Sequence, residues 1–224
     1  IGGQSKIYDK IIKTRSIKKN YKEVAITGYV RHNFKTLNTS QFFLKEGPLA
    51  ILPFSKNNFS FVWSVDKEFL KKDINSSVKS KICKVLNTNK IQISNQQSYP
   101  LMLNLKRTYY KNDILILGEG LHTVHPVAGQ GFNLVLRDIN KLQKIFKYYT
   151  ELGMSLKSTS ALEEFTNNRK SENIITGVGI DLTHYFFKKN KLLDPFKEKI
   201  LKNFSKNDTL KKISKFISNQ GLSI

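Results

Sequence analysis

The stretch ILILGEGLHTVHPVAGQGFNLVL, residues 114–136, decides the reading of this chain. Four apolar residues, Ile114 to Leu117, have the continuous hydrophobicity expected of a strand buried on both faces in a parallel sheet. Gly118 and Glu119 end it, a loop of about ten residues follows, and Gly129-Gln130-Gly131 opens a helix. Val135, Ile139, Leu142, Phe146 and Tyr149 then step by three and four, as the core stripe of that helix would. Glycine at a helix mouth lets a ligand reach bare backbone N–H groups, where the helix dipole adds partial positive charge. A carboxylate at the strand end, Glu119, suits a ribose-like hydroxyl. These residues describe a cofactor loop between strand and helix; taken alone, they fit equally well with glycines that serve only packing.

Upstream, YKEVAITGYVRH, SQFFLKE, PLAILPF and NFSFVWSV, between Tyr21 and Val65, are short β runs bounded by Asn, Ser, Gly or Pro. They predict an antiparallel sheet. Residues 66–86 place Phe69, Leu70, Ile74, Val78, Ile82 and Val85 on one helical face, which predicts a helix covering it. YPLMLNLKRTYY, residues 99–110, is a further strand leading to the decisive stretch. Downstream, a second long helix is expected from about Ala161 to Lys188, with Leu162, Phe165, Ile175, Val178, Leu182 and Tyr185 inward. Pro195 starts another helix, and Leu210, Ile213, Phe216 and Ile217 mark a last amphipathic one.

The 224 residues include 15 Phe and 9 Tyr, too much apolar surface for a disordered tail. No apolar run approaches the 20 or so residues of a membrane-spanning helix. The single Cys83 allows neither an internal disulfide nor a thiolate metal cluster and points to a reducing compartment. A net charge of +21 is the usual footprint of nucleic acid or an anionic membrane. Only five of the 38 cations are Arg, however, and the lysines are scattered among Asn and Ile. That pattern fits codon bias in an AT-rich genome better than base or phosphate reading, so no nucleic-acid partner is expected. The opening IGGQSKIYDK has neither Met nor an apolar leader, which predicts that the chain is part of a longer protein.

The loop resembles the second flavin fingerprint of class A FAD-dependent aromatic monooxygenases, GDAAHxxxPxxGQGxN. Gly118, His122, Pro126, Gly129, Gln130, Gly131 and Asn133 match it in register. HPVAGQGFNLVLRDI, residues 125–139, is especially similar to the ubiquinone-biosynthesis hydroxylases, which carry HPxAGQGxNLGLRD. The likeness extends through GPLAILP at 47–53, VWS at 62–64 and YPL at 99–101, and more weakly to Arg169, Asp181 and Phe186-Phe187. Departures are Glu119 for Asp, Gly120-Leu121 for Ala-Ala, and Gln4-Ser5 where the family has Asp-Gly. GxGxxG is absent; the nearest string, Gly177-Val178-Gly179-Ile180-Asp181-Leu182, lacks the third Gly and falls inside a predicted helix.

The fold class implied is α/β, an α+β fragment: an FAD/NAD(P)-binding Rossmann-like domain lacking its N-terminal βαβ unit, with an inserted antiparallel-sheet substrate domain and C-terminal helices. The expected divisions are 1–20 as a remnant of the FAD domain and connector, 21–110 as the substrate domain, 111–160 as the return with the flavin loop, and 161–224 as C-terminal helices. The resemblance implies FAD as cofactor and NAD(P)H as donor. It also implies hydroxylation by O2 of a prenylated aromatic ring in ubiquinone biosynthesis; the alternatives are another flavin-dependent hydroxylase or reductase of the same fold, and a basic binding module that kept the fold and lost catalysis. Gly118, Glu119, His122, Pro126, Gly129, Gln130, Gly131, Phe132 and Asn133 are the implied cofactor contacts. An isolated piece without the first βαβ unit is expected to hold FAD poorly. The expected location is cytoplasmic and peripheral on the inner face of the membrane, where a ubiquinone-biosynthesis complex is a possible partner. Lys197, Lys199, Lys202, Lys206, Lys211, Lys212 and Lys215 interleave with Ile200, Leu201, Phe204 and Phe216, as a helix lying on an anionic surface requires.

Several residues have plainer readings. His122 and His125 are three apart, but no Cys or carboxylate stands at ligand spacing, so no metal is expected. Asp181 and His184 suggest an acid–base dyad less than a solvated or interhelical pair. Trp63 alternates with Phe59 and Phe61 along a strand and suits core and substrate wall equally. Arg107 and His125 are kept as substrate-side candidates, and no general base can be nominated.

Overall fold

The computed structural model describes residues 2, 5–12, 15–70, 74–126, 129–156, 159–187, 207 and 212. Strand β1 spans Ser16–Arg31, β2 Ser40–Leu44, β3 Gly47–Ser55 and β4 Asn58–Asp66, so the four predicted runs are strands, but β1 starts at Ser16, inside the stretch read as a connector. Helix α1 (Ile7–Ile11) precedes them, and α2 (Ile74–Leu86) and β5 (Gln92–Lys106) follow. The remaining elements are β6 (Tyr110–Lys111), β7 (Ile114–Leu115), β8 (His122–Thr123), α3 (Gly131–Glu151) and α4 (Thr159–Phe187). The result is a mixed α/β chain with an antiparallel sheet, ordered β2-β3-β4-β1-β5-β8.

The chain forms two compact units, residues 1–19 with 102–224 and residues 20–101, whose boundaries fall inside β1 and β5. In residues 20–101 the register Ile26↔Trp63, Gly28↔Phe61 and Leu49↔Trp63 is set by strict alternation. A one-residue slip would turn every large side chain outward. Ile26, Leu49, Ile51, Phe59, Phe61, Trp63 and Val65 point to one buried face, and α2 covers it with Val78 and Ile82. A helix over 66–86 was expected, but α2 begins at Ile74. Asp66 instead accepts the Glu68 N–H at 3.2 Å and caps a separate 3-10 turn, Lys67–Phe69, which leaves Phe69 exposed.

The core of the other unit joins Tyr8 and Ile12 to Tyr109, Ile116, Leu121, Ile145, Tyr149, Ala161 and Phe165. Here Ile114 to Leu117 depart from the expected doubly buried parallel strand. Asn112, with φ 54°, turns the chain back, so β7 pairs antiparallel with its own upstream neighbour, Lys111↔Ile114, and Ile114 is 47% exposed. Among the described residues no parallel strand lies beside it. In α3 Leu134, Asp138, Ile145 and Tyr149 are buried; of the predicted stripe, Tyr149 lies in the core and Leu142 and Phe146 pack against it, whereas Ile139 is exposed.

In α4 the departure is larger. Leu162, Phe165, Arg169, Asn173, Gly177, Ile180 and His184 are buried, whereas Ile175, Val178, Leu182 and Tyr185 face outward. Hydrophobic periodicity selects the wrong face because the buried one carries polar groups that satisfy one another. Gly177 serves close packing of helix on strand, since a Cβ there would meet the Leu105 Cδ atoms at 2.8 Å, whereas a Cβ at Gly179 would meet no described atom within 4 Å. Gln4, Pro195 and the Lys-rich amphipathic segment lie outside the described residues, apart from Lys212.

Gly47, at the β2–β3 turn, has φ +132°, and a Cβ would stand 2.0 Å from the Ser64 carbonyl oxygen. Gly153 has φ +67° but open space around it. Gly47→Ala should therefore cost about 3 kcal/mol or more, adding backbone strain to overlap. Gly153→Ala should cost about 1 kcal/mol from backbone strain alone. Chemical denaturation of both variants checks the ranking, and equal losses would contradict it.

Candidate functional site

The loop between β7 and α3 is built on backbone hydrogen bonds. Gly118 takes φ 97°, its carbonyl accepts the Leu121 N–H at 3.0 Å, and the Leu121 carbonyl accepts Lys106 N–H at 2.8 Å. His122 and Thr123 then pair with Leu105 and Asn104 as strand β8. The Thr123 hydroxyl donates to the Glu119 carbonyl at 3.1 Å, which closes the turn and leaves the Glu119 side chain exposed. Further on, Gly129 N–H donates to the Pro126 carbonyl at 3.0 Å with Gly129 at φ 61°, a left-handed conformation that favours glycine.

Helix α3 starts at Gly131 with Gln130 as its cap residue, and no side chain caps it. Its first turn carries no acid. The leading N–H groups and the positive end of the dipole of a 21-residue helix are thus left open. Gln130 Oε1 faces Asn133 Nδ2 at 3.4 Å and Arg137 at 3.5 Å. Phe132 is 67% exposed. A Cβ on Gly131 would meet only Val124 Cγ2, at an ordinary 3.7 Å. Among the described residues, packing therefore does not require this glycine.

Behind the loop sits a buried polar cluster. His122 Nε2 stands 2.7 Å from Asp138 Oδ2, and Arg169 Nε donates to Asp138 Oδ1 at 2.7 Å. Asn173 Nδ2 donates to Asp138 Oδ1 at 3.0 Å and to the Tyr109 hydroxyl at 3.1 Å, while its Oδ1 accepts from Arg169 at 2.8 Å. Arg169 also pairs with Glu172. Asp138 is fully buried. Burial by itself raises a carboxyl pKa, but His122 and Arg169 outweigh it and hold Asp138 below its ordinary value. Burial pushes the Tyr109 phenol up, so it stays protonated. Asp138 thereby ties β8, before the loop, to α3 and α4, after it.

The two histidines of the motif part company. His122 bonds Asp138, whereas His125, fully buried, stacks on His184 with ring centroids 4.1 Å apart. Asp181 pairs with Lys19 at 2.8 Å, so Asp181 and His184 engage different partners. Arg107 is exposed. Trp63 lies in the core of residues 20–101. Asp138, Asn173 and Tyr109 received no role from sequence, although Asp138 sits inside the matched motif. Arg169 and Asn173, one helical turn apart among apolar residues, were the available signal.

A family model described as squalene epoxidase matches residues 60–218. The mitochondrial ubiquinone biosynthesis monooxygenase COQ6 of Dictyostelium discoideum is 27% identical over 188 residues, covering 68% of this chain and 38% of the relative. The 3-demethoxyubiquinol 3-hydroxylase of Escherichia coli is 27% identical over 158 residues, covering 68% and 40%. The chain thus spans less than half the length of these relatives. Among solved structures, p-nitrophenol 4-monooxygenase of Pseudomonas putida superposes with TM-score 0.75 at 12% identity, over 100% of this chain and 58% of that one. Klebsiella pneumoniae HpxO complexed with FAD and uric acid gives 0.67 at 11% identity, over 88% and 53%. The fold is that of the FAD-dependent monooxygenases.

Asp138→Asn removes the buried carboxylate shared by Arg169 and His122 and leaves Arg169 only its half-buried partner Glu172, a loss of about 3 kcal/mol. Because the folded-state pKa is depressed, the carboxylate's contribution is complete above the usual carboxylate range and is lost as pH falls through the folded value. The stability gap between parent and variant should be widest near neutrality and narrow in acid. Thermal melts from pH 7 to pH 3 would read this, and a pH-independent gap would refute it.

Proposed function

The chain belongs to the squalene epoxidase family, and on that premise we propose that it forms part of an FAD-dependent hydroxylase of a polyprenylated phenol in ubiquinone biosynthesis. The observation that carries this is the uncapped mouth of α3, with Gly131 unneeded for packing and the Glu119 side chain exposed at the preceding turn. These residues fit a flavin. The backbone N–H groups of Gly131, Phe132 and Asn133 would hold the electron-rich edge of the ring, and Glu119 would accept a hydrogen bond from a ribityl hydroxyl. Gly118 and Gly129 supply the turns, Pro126 bounds the loop, Gln130 orders the mouth and His122 anchors the strand. When bound, FAD reduced by NAD(P)H supplies the chemistry that places one oxygen atom of O2 on the ring.

The protein's own contribution is electrostatic and steric. The open helix end offers positive potential that requires no reorganisation, and the buried cluster keeps it in place. Arg107 and His125 are assigned to the substrate side, and Trp63 to the apolar lining of the sheet unit. The names of the curated relatives, COQ6 and the demethoxyubiquinol hydroxylase, support a ubiquinone-pathway substrate. A prenylated substrate and the basic composition support peripheral membrane association within a ubiquinone-biosynthesis complex. Among the described residues no helix is long and apolar enough to cross a membrane.

In the protein that carries this chain, Gly131→Val should strip flavin while apo-protein melting stays close to parent, because among the described residues the added Cβ meets only Val124 Cγ2, at an ordinary contact distance. Glu119→Gln should weaken retention about ten- to hundredfold, the worth of a hydrogen bond to a charged group. Flavin absorbance and apo-protein melting are read on the same preparations. Full flavin retention by Gly131→Val, or loss only in step with stability, would overturn the assignment.

A further inference from the structure

His32, near the end of β1, is 2% exposed and packs its ring 4.9 Å from Phe34 and 5.4 Å from Phe59. Its Nδ1 accepts the Phe34 backbone N–H at 3.1 Å. A neutral imidazole that accepts at Nδ1 carries its proton on Nε2. Burial lowers the His32 pKa and favours this neutral form. The Nε2–H donor is buried and has no partner among the described residues. Buried donors are nearly always satisfied, so this N–H calls for an acceptor from water or a ligand.

His32 lines a cavity of about 490 Å³ together with Arg31, Asn33, Lys79, Lys90 and Gln92. The lining includes three fixed cations and no carboxylate. Among the described residues Arg31, Lys79 and Lys90 form no ion pair. Lys79 also borders two further hollows along α2, again without a carboxylate. Unpaired lysines are ordinary on a chain of net charge +21 and would mean nothing by themselves. What distinguishes this place is that the cations line a hollow also lined by His32, whose buried Nε2–H has no partner among the described residues.

We propose that this hollow binds a phosphate group, with His32 Nε2–H as a neutral donor and Arg31, Lys79 and Lys90 as the neutralising charges. Phosphate fits better than a carboxylate because its oxygens are numerous enough to engage all three cations, the imidazole and the Asn33 and Gln92 amides. The site lies wholly within residues 20–101 and is independent of the flavin assignment. The phosphate is either free or the headgroup of a phospholipid, and the experiment separates the two.

The protein is titrated with inorganic phosphate by calorimetry at constant ionic strength, and floated with phosphatidylcholine vesicles with and without phosphatidic acid. His32→Phe keeps the ring packing and removes the donor. Lys79→Gln changes an exposed side chain, and Lys147→Gln, on α3, is the control for net charge. Saturable phosphate binding weakened about tenfold or more by His32→Phe and Lys79→Gln, but unchanged by Lys147→Gln, supports the site with free phosphate as ligand. Flotation dependent on phosphatidic acid, with the same pattern of variants and no binding of inorganic phosphate, supports it with a lipid headgroup. Absence of both, or equal effects of Lys79→Gln and Lys147→Gln, overturns the proposal. If His32→Phe fails to fold, Lys79→Gln against Lys147→Gln decides alone.

Discussion

One buried carboxylate holds the loop in place. Asp138 receives His122 from the strand before the loop and Arg169 and Asn173 from α4, while its own backbone belongs to the helix that the loop opens into. The backbone hydrogen bonds of the loop and its two-residue strand fix its turns, and the side-chain cluster fixes the loop against α3 and α4. A charged, dry cluster supplies direction that apolar packing would not, because each hydrogen bond is satisfied in only one arrangement. The position of His122 relative to α3 thus follows from electrostatics, with the surrounding apolar core excluding the water that would compete.

That anchoring explains how an uncapped helix end is tolerated. Bare N–H groups at a helix start forgo the stabilisation that a capping side chain provides, about 1 kcal/mol. The α3 mouth has no such cap, and its cap residue, Gln130, directs its side chain toward Asn133 and Arg137. The helix is kept instead by burial of Leu134, Ile145 and Tyr149 along its length. Stability and ligand readiness are therefore located in different parts of one element: the interior line secures it and the open end remains available.

The two units solve the packing problem differently. Residues 20–101 bury an apolar sheet face under α2, so alternation and register account for nearly all of it. The unit that holds the loop mixes an apolar core with a charged one. Replacing a Leu with a Val in the first is a matter of volume, whereas losing one member of the second leaves an ion stranded in the interior. Function-bearing geometry sits where the cost of a wrong neighbour is highest.

The sequence by itself determined the antiparallel sheet between Tyr21 and Val65, because period-two alternation and turn residues act over a few neighbours and need no distant partner. It also determined the loop motif and its helix, since the positive φ of Gly118 and Gly129 is a local backbone requirement. Only the tertiary structure decided which face of α4 is inside. Arg169, Asn173 and Gly177 read as surface or breaker residues one at a time, and become interior when Asp138, Tyr109 and Leu105, far away in sequence, supply their partners. The same holds for Ile114 to Leu117, whose apolar run reads as a parallel strand until Asn112 turns it back on Tyr110 and Lys111. Local pattern records which side chains avoid water; it does not record which polar groups satisfy one another across the fold, and that pairing is settled only when the chain has closed.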